Sequence, residues 1–196
     1  MKLTIARIIS YLFNPLIVVL VSPFLLIYRA TNDLQAAYYW TCYTLIFIII
    51  MGIFVATGVK REIFTDLDVS RREQRPLMFL ISILFIAVYV MGMLFLQAPS
   101  ILYILAAGLI LGICIISIIN RRIKASAHVA AITALTLPLA VSFGQYYFLL
   151  LFLVPLVAWA RIKTKRHTLK EILVGGFLGG SLSLSIYLAV RFFIHK

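Results

Sequence analysis

The chain has 196 residues, of which 64% are hydrophobic and 12% are charged, and its formal net charge is +12. An ordinary soluble domain is about 45–50% apolar and about 25% charged, so this composition excludes a water-soluble fold. The positive charge does not indicate nucleic-acid binding, because the basic residues lie in short segments between apolar runs, where membrane proteins normally carry them. We therefore expect an all-α integral membrane protein with a single domain over residues 1–196.

Apolar runs long enough to cross about 30 Å of hydrocarbon recur along the whole chain. They predict a polytopic helical bundle with seven spans, at residues 8–28, 40–59, 77–96, 101–119, 127–143, 146–160 and 172–193. The fifth and sixth spans are short against the usual length of about 17–25 residues, and a single re-entrant hairpin is the alternative, which gives six spans. Cys42 and Cys114 stand alone inside apolar runs and are interpreted as packing residues.

The basic residues are concentrated on one side of the predicted membrane. Of the 18 Lys and Arg residues, 15 lie in four segments that share this side, at 1–7, 60–76, 120–126 and 161–170. Only Arg29, Arg191 and Lys196 remain for the other side. We expect the protein to lie in the inner membrane of the cell. Because Lys and Arg in short loops oppose translocation, we expect the basic side to face the cytoplasm.

The first polar cluster, residues 60–76, holds four of the six acidic residues of the chain. If residues 70–75 are helical, Arg72 and Arg75 lie three positions apart and face one way. Asp66 and Asp68 can then orient their guanidinium groups toward a ligand. The alternative is a solvated loop whose charges compensate one another.

The second cluster, residues 121–128, runs directly into an apolar stretch that we expect to be a helix. This places Ser126 and His128 at a helix N-terminus, where backbone N–H groups and the positive end of the helix dipole favour a phosphate. The hydroxyl of Ser126 can add a donor. The alternative interpretation of His128 is a snorkelling residue at the membrane interface, without a role in phosphate binding.

The third cluster contains His167 and Glu171, which are four positions apart and predicted to be neighbours on one helix face. The carboxylate can then accept the Nδ1–H of the imidazole and leave Nε2 to act as a nucleophile. Two overlapping pairs of small residues follow and predict close approach of a neighbouring helix; they are Gly175, Gly176, Gly179 and Gly180.

These clusters together resemble the three-part signature of the type 2 phosphatidic acid phosphatase superfamily. The residues that carry the resemblance are Arg75-Pro76, then Ser126 with His128, then Arg161, His167 and Glu171. The third element is the specific one, because its Arg and His are separated by five residues and its His and acid by three, as in the family.

The chain departs from the family pattern in all three elements. Ala160 and Glu171 stand where the family has Ser and Asp in the third element, and the second element, usually Pro-Ser-Gly-His, is Ala-Ser-Ala-His at residues 125–128. Asp68 stands where the first element usually has a Lys, and Arg71 or Arg72 can supply that cation.

The resemblance implies a membrane-embedded phosphatase that needs neither metal nor cofactor and acts on a lipid phosphate or an isoprenoid mono- or diphosphate. It implies that His167 attacks phosphorus to form a phosphohistidine, that Glu171 orients His167, and that His128 protonates the leaving oxygen. The implied phosphate ligands are Arg75, Arg161 and Ser126, with Lys124 and Arg72 as helpers. His195, the remaining histidine, is excluded because it lies at the C-terminus on the other predicted side.

The sequence is compatible with other functions. A phosphotransferase would keep the phosphohistidine but pass the phosphate to an acceptor other than water. A relative without catalysis would bind or move anionic lipids, as the altered first and second motifs allow. A prenyltransferase is disfavoured, because Asp66 and Asp68 form a single acidic pair where such enzymes need repeated Asp-rich motifs. The sequence does not specify the oligomeric state.

Overall fold

The computed structural model describes residues 2–194, so the expectation about His195 lies outside the described residues. Within this range the chain forms eight α-helices and no β-strand. The predicted class, an all-α protein with several helices long and apolar enough to cross a membrane, is confirmed.

The helices follow one another with short connections. In chain order they are α1 (Lys2–Leu12), α2 (Pro15–Thr31), α3 (Leu34–Lys60), α4 (Arg75–Phe95), α5 (Ser100–Asn120), α6 (Ala127–Phe143), α7 (Leu153–Lys163) and α8 (Leu169–Ile194). Two 3₁₀ segments, Arg72–Gln74 and Gln145–Phe152, lead directly into α4 and α7. By length and composition, five helical stretches can span a membrane, and α1 with α2 makes a sixth if this bent pair is one span.

The predicted first span, residues 8–28, is not one continuous helix. α1 and α2 are bent by 49° at the break between them. Pro15 begins α2 because it has no N–H to continue the preceding helix, and the Oδ1 of Asn14 accepts the N–H of Leu16 at 3.0 Å, which caps α2. The break therefore follows from the chemistry of two adjacent residues, which hydropathy alone does not register.

The fifth and sixth predicted spans are the shortest in the structure as well. α6 covers the predicted residues 127–143, but with 17 residues it lies at the lower limit for a spanning helix. It ends at Gly144, whose φ of +87° favours glycine. The 3₁₀ segment that follows and α7 together make a stretch of 19 residues.

The contacts divide the chain into two compact units. We call Met1–Val19 with Ile119–Lys196 the terminal unit and Leu20–Ile118 the central unit. The apolar core of the terminal unit is built on Val18, Val129, Ile132, Val157 and Ile172. The core of the central unit is built on Ile27, Ala37, Trp40, Met93, Leu102 and Ala106. The single domain expected from the sequence stays a prediction.

The loop between α3 and α4 has internal structure of its own. Phe64 is buried with 1% of its surface exposed. The N–H and hydroxyl of Thr65 both donate to Oε1 of Gln74, at 3.1 and 2.7 Å, and the hydroxyl of Ser70 donates to Asp66 at 3.0 Å. The loop therefore has internal structure, and Asp66 helps to hold it in shape, whereas the orientation of a ligand by this cluster stays a prediction.

Cys42 and Cys114 are both exposed, so their interpretation as packing residues is wrong. Large apolar side chains are exposed in the same way, among them Phe95 at 83% and Phe177 at 76%. Outward-facing apolar side chains are the normal surface of helices that are surrounded by lipid tails.

Candidate functional site

Six of the predicted site residues belong to the terminal unit, and contacts connect five of them to one another. These five are Ser126, His128, Arg161, His167 and Glu171. The first four are buried, with 0%, 5%, 3% and 7% of their surfaces exposed. Polar and charged groups at this depth cost free energy unless they are paired, so their concentration in one small region indicates a functional site.

The start of α6 supplies Ser126 and His128. Ser126 is the N-cap of the helix and His128 lies in its first turn, as predicted. The Oγ of Ser126 makes no capping hydrogen bond, and among the described residues this buried atom has no hydrogen-bond partner. A buried hydroxyl left in this state costs about 1–3 kcal/mol, which a bound acceptor such as a phosphate oxygen would recover.

The end of α7 supplies Arg161 and turns the chain back toward it. Lys165 has a φ of +55°, its N–H donates to the carbonyl of Ile162 at 2.9 Å, and the N–H of Arg166 donates to the carbonyl of Arg161 at 3.1 Å. This pair of bonds is a Schellman motif. The N–H of His167 also donates to the carbonyl of Arg161, at 3.4 Å, so the turn fixes His167 beside the end of α7.

The start of α8 supplies Glu171. Its backbone N–H donates to the hydroxyl of Thr168 at 3.4 Å, and its Oε2 accepts the N–H of Thr168 at 3.0 Å, which together form a capping box. The same Oε2 lies 3.1 Å from Nδ1 of His167. His167 precedes α8, so the predicted pairing of neighbours on a helix face is wrong, although the two side chains do meet.

A direct backbone contact joins the second and third motifs. The N–H of Ser126 donates to the carbonyl of Glu171 at 3.1 Å, so the residue that precedes α6 is bonded to the first turn of α8. A Cβ on Gly175 would lie 2.5 Å from the carbonyl oxygen of Ser126, and one on Gly179 would overlap the carbonyl oxygen of Ala130. The predicted close approach of a neighbouring helix to these glycines is confirmed.

His128 and Arg161 are in contact through their side chains. A terminal guanidinium nitrogen of Arg161 lies 3.5 Å from Nε2 of His128. Because Arg has only donors, the imidazole nitrogen has to be the acceptor in this contact, which favours the neutral ring. An anion that draws the guanidinium away would leave Nε2 of His128 able to take a proton.

The other predicted phosphate ligands are distributed over both units. In the central unit, Arg75 is buried and its Nε donates to the carbonyl of Val69 at 3.3 Å, whereas Arg72 is exposed. In the terminal unit, Lys124 is half-buried in the segment before α6. The roles of these three residues in phosphate binding stay predictions.

Two residues that shape the site were missed from the sequence. Thr168 begins the pattern Thr-Leu-Lys-Glu, which is a recognisable capping-box signal and could have been identified. Lys165 adopts a left-handed conformation where glycine is the usual residue, so the sequence contains no signal for the turn that it makes.

No protein-family model, no curated protein and no solved structure matches the chain. The resemblance to the phosphatase superfamily therefore rests on the motif residues themselves. Among residues 2–194, no three His, Cys, Asp or Glu side chains are grouped so as to hold a metal ion.

Proposed function

We propose that this protein is a membrane-embedded phosphatase that hydrolyses a lipid phosphate or an isoprenoid mono- or diphosphate through a phosphohistidine at His167. The observation that carries the proposal is the pairing of Nδ1 of His167 with Oε2 of Glu171 at 3.1 Å. The imidazole is almost completely enclosed, with 2% of the side chain exposed, against 21% for Glu171. A buried histidine oriented by a carboxylate is the arrangement that activates an imidazole.

The tautomer of His167 follows from this pairing. Glu171 accepts the proton on Nδ1, so the lone pair of the ring is on Nε2. In the proposed reaction, Nε2 attacks phosphorus as the bond from phosphorus to the leaving oxygen breaks. The carboxylate balances the positive charge that the ring acquires in the phosphohistidine.

In the proposed reaction, Arg161 binds the phosphate and His128 transfers the protons. A phosphate bound by Arg161 would replace the contact between the guanidinium and His128, and the anionic substrate would favour a protonated imidazole. His128 then donates its proton to the leaving oxygen. In the second step, His128 takes a proton from water, the water oxygen attacks phosphorus, and inorganic phosphate leaves as Nε2 of His167 regains its lone pair.

The position of the site in the chain supports a lipid-like substrate. Ser126 directly precedes α6, Glu171 lies in the first turn of α8, and α8 is long and apolar enough to cross a membrane. A substrate can therefore keep its tail among the lipids while its phosphate reaches the ends of these helices. The distribution of basic residues supports a cytoplasmic site in the inner membrane, and hence a substrate made inside the cell.

The experiment that tests the proposal is turnover by the purified protein in detergent. We expect the release of inorganic phosphate from short-chain phosphatidic acid or farnesyl diphosphate, and its loss in His167→Ala. Ser181→Ala is the matched control, because Ser181 is an exposed residue of α8 that bonds only within its own helix, to the carbonyl of Leu178. Full turnover in a folded His167→Ala protein would overturn the proposal.

The same assay separates hydrolysis from phosphotransfer. A phosphatase releases inorganic phosphate in proportion to the substrate consumed. A phosphotransferase would consume substrate and yield a phosphorylated acceptor instead, which adding candidate lipid alcohols would reveal.

A further inference from the structure

A groove lies at one end of the central unit and is lined by residues that the proposed phosphatase does not use. Its volume is about 440 Å³, which is in the range of sites for small molecules. One wall is formed by residues 33–40, at the beginning of α3, and the other by residues 96–99, which connect α4 to α5. Both segments belong to the central unit.

Asp33 gives one end of the groove a negative charge. It is the N-cap of α3, and its Oδ1 accepts the N–H of Ala36 at 3.0 Å. Among residues 2–194, no basic side chain pairs with this carboxylate, and none lines the groove. The positive end of the α3 dipole, about half an elementary charge, offsets only part of the charge of Asp33. The groove therefore attracts a cation and repels an anion at this end.

Aromatic rings line the groove further along α3. Trp40 is 5% exposed and is part of the core of the central unit, so its ring is held in place. The ring of Tyr39 lies at 90° to it, with the two centroids 5.2 Å apart. Trp40 follows Asp33 by seven residues, which is about 10 Å along a helix axis. A ligand that contacts both the carboxylate and the rings is therefore elongated, with a positive group at one end and an apolar body.

The wall opposite α3 is fixed by hydrogen bonds. The N–H of Gln97 donates to the carbonyl of Leu94 at 3.4 Å, and the N–H of Ala98 donates to the carbonyl of Met93 at 3.0 Å. Gln97 has a φ of +53°, so this connection is a Schellman motif. The hydroxyl of Tyr103 donates to the same carbonyl of Met93 at 3.0 Å and ties the connection to α5. A groove with a fixed wall accepts a ligand at a small cost in ordering.

We propose that this groove binds an alkylammonium amphiphile, in which an ammonium group is joined to an apolar chain. The ammonium group pairs with Asp33, and the chain lies along Tyr39 and Trp40. The helices α3, α4 and α5 are each long and apolar enough to cross a membrane, and the groove lies at their ends. The amphiphile therefore enters from the lipid phase, with its charge at the aqueous boundary.

The fluorescence of Trp40 measures occupancy of the groove. Trp159 is the other tryptophan of the chain, so Trp159→Phe leaves Trp40 as the single emitter. This protein is titrated in dodecyl maltoside micelles with a bromine-labelled decylamine and with the alcohol of the same labelled chain, each expressed as its mole fraction in the micelle. Bromine quenches tryptophan on contact, and the two probes differ in charge. We expect half-maximal quenching at an amine fraction about threefold lower than the alcohol fraction, as an exposed ion pair is modest.

Asp33→Asn in this background separates charge from shape. Asparagine keeps an oxygen that can accept the N–H of Ala36, so the helix cap is preserved while the charge is lost. The threefold preference for the amine should disappear, with quenching by the alcohol unchanged. The matched control is Glu73→Gln, which removes a negative charge from an exposed residue outside the groove and should keep the preference. Ala36→Leu adds volume inside the groove and should abolish saturable quenching by both probes.

Four results would overturn the proposal, once gel filtration and thermal unfolding have shown that each variant is folded. The first is equal quenching by the amine and the alcohol in the protein that retains Asp33. The second is a preference for the amine that remains in Asp33→Asn, and the third is a preference that Glu73→Gln reduces equally. The fourth is the absence of saturable quenching by either probe, or its persistence in Ala36→Leu. The comparison of the two probes needs no substitution in the groove, so it tests the proposal even if a groove variant does not fold.

Discussion

At the scale of single residues, Glu171 has two tasks. One carboxylate oxygen accepts the backbone N–H of Thr168 at 3.0 Å and lies 3.1 Å from Nδ1 of His167. The first bond helps to cap α8, and the second contact orients the imidazole. The helix cap thus holds the carboxylate in place for His167, and a substitution of Glu171 tests orientation and charge together.

We expect Glu171→Gln to reduce kcat about 10²-fold or more with little change in KM. The amide oxygen can still accept a hydrogen bond, but the negative charge that supports the imidazole is lost, and exchange of the orienting carboxylate in a serine protease triad costs about 10⁴-fold. Glu171→Asp keeps the charge and should be milder. Steady-state kinetics on a short-chain lipid phosphate would show this order, and an unchanged kcat in Glu171→Gln would mean that the pairing is incidental.

His128→Ala should slow the enzyme according to the leaving group of the substrate. A general acid contributes about 10²–10⁴-fold when the leaving oxygen needs a proton, so turnover of an alkyl phosphate should decrease by about this factor. An aryl phosphate such as p-nitrophenyl phosphate leaves without that proton and should decrease less than about tenfold. Comparable losses on the two substrates would argue against His128 as the acid.

At the scale of elements, the sequence predicted helix ends where local chemistry determines them. α6 covers the predicted residues 127–143 and ends before Gly144, whose φ of +87° favours glycine. The break at Asn14-Pro15 was missed because a hydropathy pattern does not register backbone hydrogen bonds. The turn that places His167 was missed because Lys165 stands where a glycine would have indicated it.

Gly179→Ala should destabilise the protein, because the new Cβ would overlap the carbonyl oxygen of Ala130 and force α6 and α8 apart. Overpacking of this kind costs about 1–3 kcal/mol. Gly176→Ala is the control on the same helix, since its Cβ would lie 3.6 Å from a methyl group of Val129, which is an ordinary contact. Thermal unfolding in detergent measures both variants, and equal midpoints would mean that the close approach contributes nothing to stability.

At the scale of the whole molecule, the helical class and most spans were predictable, because they depend on composition and on the length of the apolar runs. The sequence also grouped the second and third motifs correctly in space, since each adjoins a helix start on the same predicted side. It could not show that Arg72 and Arg75 belong to a different compact unit from the two histidines, because that division depends on contacts between distant segments.

The charge count predicts the orientation in the membrane. Without Arg72, Arg75, Lys124 and Arg161, which are proposed phosphate ligands, the basic side still has 11 Lys and Arg residues against three. The site should therefore face the cytoplasm.

Cysteine labelling in intact cells measures this orientation. In a background without Cys42 and Cys114, a membrane-impermeant thiol reagent should label Gln145→Cys before lysis, and Leu67→Cys and Lys163→Cys only after it. All three positions are exposed. Labelling of Leu67→Cys and Lys163→Cys in intact cells, with Gln145→Cys protected, would put the site outside.

The central claim is that His167 carries the phosphate during turnover, and trapping the phosphoenzyme tests it most directly. The protein is mixed with substrate labelled with ³²P in the phosphate that is removed, quenched within milliseconds and digested at alkaline pH, where phosphohistidine survives. We predict a base-stable, acid-labile label on the peptide that contains His167, and no such label in His167→Ala. Rapid turnover without any labelled peptide, or a label that persists in His167→Ala, would contradict the account.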